Sequence, residues 1–462
     1  MDERRERRLD QATALVVVVL AVAVVLNGLP FWARRVGLLD RAAYRRDLAL
    51  FCATPPPSWW VPATCRPHRL AAPGPPPRFE RIAVARLYRL SPPERGLKVV
   101  RQAVLPLLLL GSAAVVWAGW QAPPALGALA PLLPLLLSTL LSAGISLPLD
   151  GRLATLAAGL GSLWIPLAAL AGWLTTPRRW RILADGAAAL VLLQVPFLAL
   201  EAMRGLPMPF GGPTSPWLPT RLSGLMNQPN SLGGLLALSV ALCVSVSNRP
   251  WQRWPLLLVA LGMALLARSG SGVMALALLA AGMGLGQLPR RWRPLAAVCG
   301  LVALTLVLPP LLGRPRLYDS PLGRVEILRH WWTAPRAPLE RWLGHGLASQ
   351  SDNRQVRALR HPAVGEAKEP LAEKGRGPSA DAQPLLLLAR GGVVALVAFY
   401  GLLGWCAWCD PLLRPFWGVL LLTGLALNVT EVFPLGIWLA VATARALGPG
   451  WSGPLRPAAT RG

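Results

Sequence analysis

The sequence predicts an all-α, polytopic integral membrane protein of about 11–12 transmembrane helices with one large external loop. Three observations predict it. Apolar runs of about 17–25 residues recur along the chain, the length a helix needs to cross a hydrocarbon core. Hydrophobic residues make up 54% of the 462, and mean hydropathy is +0.46, too apolar for a water-soluble fold of this length. Charges are sparse within the runs, as expected where lipid solvates neither a lone charge nor an unpaired peptide group.

Taken in order, the first span is 12–33. The opening Met1-Asp-Glu-Arg-Arg-Glu-Arg-Arg8 has the outline of a signal peptide, but no convincing small-residue cleavage site follows, so the run reads as a retained span. Residues 34–101 form a basic, Pro-rich segment. Its end, Arg78–Arg101, spaces Ile82, Val84, Leu87, Leu90 and Leu97 among arginines and suits an amphipathic helix lying on a membrane surface. Further spans follow at 103–120, 125–143, 152–174 and 182–203. After a Pro/Gly-rich loop at 204–220 come spans at 231–247, 255–267, 273–288 and 295–312. A hydrophilic segment covers 313–382, and spans at 383–407, 416–430 and 434–447 complete the bundle. The domain division is therefore 1–102, 103–312, 313–382 and 383–447, with a tail at 448–462.

The formal charge is +26, and nearly all of it is arginine; the lysines are Lys98, Lys368 and Lys374. Most of the arginines belong to loops that orient the chain. Arg178, Arg179, Arg181, Arg249, Arg253, Arg290, Arg291, Arg293, Arg414 and Arg445 all fall on one side, which the positive-inside rule makes cytoplasmic. The 204–230 stretch, the turn at Arg268 and the 313–382 segment then share the external side. The 34–101 segment conflicts with this count: it should be external, yet it carries fourteen basic residues against four acidic. Nucleic acid is not an expected partner, because the basic residues are dispersed and no reading motif is present. Anionic partners, membrane lipids or a pyrophosphate, suit the charge.

Cys243, Cys299, Cys406 and Cys409 lie in or beside apolar spans and read as small hydrophobes. Cys52 and Cys65 flank a Pro/Trp loop and can pair only in an oxidising compartment. No Cys or His set has metal-ligand spacing.

The chemically suggestive stretch is Arg221-Leu-Ser-Gly-Leu-Met-Asn-Gln-Pro-Asn-Ser-Leu-Gly233, at the mouth of a span. It joins one permanent cation, the amides Asn227 and Asn230, and residues that start helices. Asn230 or Ser231 as N-cap would leave backbone N–H groups facing outward, and a helix N-terminus beside a guanidinium is a phosphate site. An Arg beside a span is otherwise a snorkelling anchor. A second stretch, Ala267-Arg-Ser-Gly-Ser-Gly272, is a tight polar turn carrying Arg268. A third, Pro321 to Trp332, places Leu322, Val325, Leu328 and Trp332 on one helical stripe, with Arg324 off it.

The first stretch resembles the R-x-x-G-x-x-x-N-P-N signature of the O-antigen ligase and Wzy-type polymerase superfamily, with Gln228 standing between the usual Asn and Pro. The resemblance covers roughly 180–430. The Arg268 turn is similar to the family's S-R-S-G turn, Arg324 to the Arg that opens the loop helix, and Leu339-Glu-Arg-Trp-Leu-Gly-His-Gly-Leu-Ala348 to its P-L-x-G-x-G turn. The family's His before the next span falls on Asp381 when Gly392 is set on the family Gly; Arg390 then stands where Glu is frequent, and Ala395 on the second Gly. His345 and His361 do not fill that place.

The resemblance implies a membrane glycosyltransferase of the bacterial inner membrane, active on its external face, inverting, and needing neither metal nor cofactor. It would move a glycan from a polyprenyl pyrophosphate to a lipid or glycan acceptor hydroxyl. Arg221, Arg268 and Arg324, with Asn227 and Asn230, would hold the pyrophosphate, and Asp381 would be the base. Asp381 reads equally as the N-cap of 383–407. Two other classes stay open: an anion, inorganic-carbon or solute transporter, and a catalytically altered relative with an assembly role.

Overall fold

The computed structural model describes residues 3–38, 107, 110–111, 113–114, 117, 126–171, 176–204, 222–226, 228–247, 251, 253–295, 329, 332, 338–349, 382–425 and 427–447. Of these, 86% are helical and none lies in a strand. The expected span at 295–312, nearly all of 103–120, and the 39–101 segment lie outside the described residues.

The helices are α1 (Glu3–Arg35), α2 (Leu133–Asp150), α3 (Arg152–Gly159), α4 (Trp164–Leu170), α5 (Pro177–Arg204) and α6 (Pro229–Val246). They continue with α7 (Trp254–Leu266), α8 (Gly270–Gln287), α9 (Pro338–Leu343), α10 (Gln383–Cys409), α11 (Arg414–Gly424) and α12 (Leu435–Leu447). Five of them, α1, α2, α5, α6 and α10, are long and apolar enough to cross a membrane; α3 and α4 make a sixth candidate, bent by 45°. The protein is an all-α, membrane-embedded bundle.

Its axis is α6. Pro229 opens the helix, where a missing N–H costs nothing. Of its residues 78% are buried, and it touches α5, α7, α8, α11 and α12. Such all-round apolar burial marks a helix enclosed by other helices. The outer helix α2 shows the inverse of a soluble pattern. Leu137, Leu140 and Leu141 are more than half exposed, while Ser138, Ser142 and Ser146, four residues apart, face inward. Where the surroundings are lipid, leucine gains nothing by hiding, and small or polar residues take the helix interface.

Charges join the helices at one end. Asp10 of α1 accepts from Arg178 Nε at 3.0 Å and from Arg179 Nε at 3.2 Å, and Arg179 also pairs with Glu6. Nearby, Arg445 of α12 donates to Asp410 Oδ2 at 2.7 Å, and its guanidinium lies 4.7 Å from the centre of the Trp180 ring. The starts of α1 and α5 and the ends of α10 and α12 are thus fastened together by pairs that are largely buried. The described residues of the 221–233 and 267–272 stretches lie at the other end.

Candidate functional site

The loop that follows Arg221 is held from beneath. Residues 194 and 201 sit two turns apart on α5 and so share a face. Both are buried, and both accept hydrogen bonds from the loop backbone. Ser223 N donates to the two Glu201 carboxylate oxygens at 3.2 Å each, Gly224 N to Oε2 at 2.7 Å, and Leu225 N to Gln194 Oε1 at 3.0 Å. Gly224 adopts φ 53°, the left-handed turn that lets successive amides converge. From above, Gly28 of α1 fits against the Leu225 backbone so closely that a Cβ there would lie 1.8 Å from the Leu225 carbonyl oxygen.

Helix α6 follows at once. Gln228, extended at φ −141° and ψ 143°, occupies the N-cap with no side-chain cap bond, so the expected cap at Asn230 or Ser231 is corrected. Pro229 sets the start two residues earlier, placing Asn230 within the first turn and Ser231 in the buried body of the helix. The amides of Ser223, Gly224 and Leu225, ahead of the helix, are taken by Glu201 and Gln194.

One turn further, Gly233 meets the second motif. A Cβ on Gly233 would fall 2.1 Å from Ser269 Oγ, and one on Gly272 would fall 2.5 Å from Gly233 Cα. The two predicted motif stretches are therefore in backbone contact. The 267–269 turn closes α7 with Arg268 N donating to Leu265 O at 2.9 Å and Ser269 N to Ala264 O at 3.0 Å. This pattern puts the C′ residue in the left-handed region and normally selects glycine. Arg268 fills it instead, at φ 49° and 7% exposed. A non-glycine residue there costs about 1–2 kcal/mol, which the side chain must offset. Ser269 caps α8, accepting from Gly272 N at 3.4 Å.

The same end continues through Gly234, against Leu427 and Leu435, into the 427–434 turn. Glu431 there pairs with Arg390 and accepts from Asn428 Nδ2 at 2.9 Å. Gln383 Oε1 accepts from Thr430 N at 3.1 Å and Thr430 Oγ1 at 3.2 Å. Arg390 stands just before a break in α10, where Gly392 takes φ 61° and ψ −156°. A non-helical residue disrupts the bonds that close over it. The carbonyls of Ala389 and Arg390 accept elsewhere: Ala389 O from His345 N at 2.7 Å and Ser349 Oγ at 2.9 Å, Arg390 O from Gly346 N at 3.0 Å and Ser142 Oγ at 2.7 Å. The Gly344–Gly346 turn is thereby docked on the break.

Of the predicted site residues, Arg268 and Asn230 are described, at this end of the bundle. Arg221, Asn227, Arg324 and Asp381 lie outside the described residues. The N-cap of α10 falls on Ala382, which has no side-chain cap bond. Sequence reasoning missed Glu201, Gln194, Gln383 and Glu431. The available signal for Gln194 and Glu201 was an amide and an acid inside an apolar run, which lipid does not tolerate unpartnered; Gln383 and Glu431 stand at the edges of runs and carry no such signal. Among the described residues no three His, Cys, Asp or Glu side chains gather as metal ligands. A scan against protein-family models gives no match for the chain, and neither does a search of curated proteins.

Proposed function

We propose that this protein is a membrane glycosyltransferase of the O-antigen ligase or polymerase type, located in a bacterial inner membrane with its active face external. The observation that supports the reading is the contact of Gly233 with Gly272, which brings the start of α6 and the Arg268 turn to one end of the bundle.

In the proposed reaction an acceptor hydroxyl oxygen attacks the anomeric carbon of a lipid-linked sugar. The bond from that carbon to the phosphate oxygen breaks, and the polyprenyl pyrophosphate leaves with the electron pair. Arg221, Arg268 and Arg324 would meet the negative charge gathering on the leaving group, since guanidinium forks stay charged and bind phosphate oxygens in pairs. Asp381 would take the hydroxyl proton. Glu201 and Gln194 consume the amides of Ser223, Gly224 and Leu225, so side chains rather than loop backbone would carry the anion.

A carrier is the second reading, favoured by the break in α10 beside the buried Arg390–Glu431 pair, because transporters place substrate sites at discontinuous helices. Against it, the Ala389 and Arg390 carbonyls each already accept two hydrogen bonds from the chain itself, which uses both lone pairs. Deleting the gene and profiling surface polysaccharide with lipid-linked intermediates decides between them. Accumulated lipid-linked glycan supports the transferase; unchanged glycan with altered solute uptake replaces it with the carrier.

A further inference from the structure

We propose that residues 338–349 are seated within the membrane, in the leaflet at the end of the bundle that holds the Arg268 turn, with Leu339 and Trp342 against lipid acyl chains. This sets the stretch apart from the hydrophilic 313–382 segment in which the sequence places it. The placement is the same for a transferase and for a carrier.

The depth follows from α10. Its far end carries Trp405 and Trp408, both more than half exposed, and closes at Asp410, the partner of Arg445. Exposed tryptophans at a span end mark the boundary between hydrocarbon and head groups. A helix rises about 1.5 Å per residue, so Gly392 stands about 24 Å from Trp408 along the axis. A hydrocarbon core is about 30 Å thick, which puts the Gly392 break about 6 Å inside the opposite boundary. Any tilt of α10 puts it deeper. The α9 backbone reaches that level. A Cβ on Gly392 would lie 2.3 Å from the Trp342 carbonyl, and one on Gly344 would lie 2.5 Å from the Arg390 carbonyl carbon. Helix α2 agrees: Ser142 Oγ donates to Arg390 O at 2.7 Å, while the adjacent Leu140 and Leu141 are more than half exposed, on the side of α2 that faces lipid.

Irregular backbone survives at such a depth only where protein satisfies its polar groups. The six consecutive amides from Gly344 to Ser349 meet that demand without a gap. Gly344 N donates to Glu340 O at 2.9 Å, His345 N to Ala389 O at 2.7 Å and Gly346 N to Arg390 O at 3.0 Å. Leu347 N donates to Ser142 O at 2.9 Å, Ala348 N to Ser146 Oγ at 2.8 Å and Ser349 N to Gly346 O at 3.0 Å. A turn at an aqueous surface leaves part of this bonding to water.

The occupant of the outer face follows from its neighbours. Leu339, Trp342 and Leu343 fall on one side of α9, with Arg341 opposite. Leu339 and Trp342 are more than half exposed, although the turn after them is buried. Helix α9 touches α2, so this pair continues the surface made by the exposed leucines of α2. Acyl chains cover both. Arg341 is exposed, and its long stem lets the guanidinium reach head groups.

The test places p-benzoylphenylalanine, one site at a time, at 339, 342, 408 and 291 of the full chain in its membrane. After irradiation, adducts are identified by mass spectrometry. Position 408 is the lipid-facing control, and 291, in the basic turn after α8, is the water-facing one. Phospholipid adducts at 339 and 342 are expected to match 408 and to exceed 291 several-fold. Yields at the level of 291 place the stretch in water and overturn the proposal. Adducts to a second copy of the chain make the face a protein contact and overturn it too. Where the bulky residue at 342 disturbs the size-exclusion profile, 339 alone decides.

Discussion

Gly233 and Gly272 touch main chain to main chain where the first turns of α6 and α8 cross, with room for no other residue at either place. A Cβ on Gly272 would approach Gly233 Cα to 2.5 Å, backbone that cannot swing aside as a flexible side chain can. Gly272→Ala should therefore force the helices apart and cost about 1–3 kcal/mol, as overpacking does. Gly282→Ala, further along the same helix with nothing within 4 Å, is the control and should be neutral or slightly stabilising. Thermal melts of the two variants in one detergent check the pair.

Arg268 permits a cleaner separation of stability from function. Its left-handed backbone at φ 49° suits glycine better than arginine. Arg268→Gly removes backbone strain worth about 1 kcal/mol together with the side-chain contacts that offset it, so the melting temperature should change little. Glycan transfer should fall sharply in the same variant. A fully active Arg268→Gly protein would remove Arg268 from the proposed pyrophosphate site.

The Arg390–Glu431 pair joins α10 to the turn before α12, with side chains 7% and 5% exposed. Removing one member strands the other away from water and should cost about 3–5 kcal/mol. Glu431→Ala and Arg390→Ala should each be severe, while the double variant should be milder than the sum of the two. A double-mutant cycle on melting temperature measures the coupling. Additive losses would show that the pair contributes nothing beyond its separate contacts.

Gly392 is constrained twice, by φ 61° and by the Trp342 carbonyl, which would lie 2.3 Å from an added Cβ. Gly392→Ala should straighten or unseat α10 and lower the yield of folded protein. Gly401→Ala, in the same helix with nothing within 4 Å, should be tolerated. Yield after detergent extraction, read by size-exclusion profile, separates the outcomes.

Much of the architecture is legible in the chain. Apolar run length located α6, α7, α8, α10 and α12 to within a few residues, because lipid sets both the length and the polarity of a span. The motif spacing pointed to the Arg268 turn and to the start of α6. Other features are hidden for physical reasons. The run expected at 125–143 is 3-10 helix over Leu126–Leu132 and α-helix from Leu133 to Asp150, since Ser142 and Ser146 look like a loop in sequence but are buried on the inner face of α2. The 152–174 run is bent between Ser162 and Trp164. The described partners of Glu201 include backbone amides, which leave no trace in side-chain identity. Arg390 and Glu431 are 41 positions apart, and no periodicity connects them.

The docking of the 344–349 turn on α10 has a mechanical meaning. Four donors from Ser142, His345, Gly346 and Ser349 cap two carbonyls deep in the bundle. Pulling the turn away would strip both donors from the Ala389 oxygen and leave the Arg390 oxygen with Ser142 alone. The chain between α8 and α10 is consequently tethered at residues 345–349 to the interior of the bundle, beside the kink at Gly392.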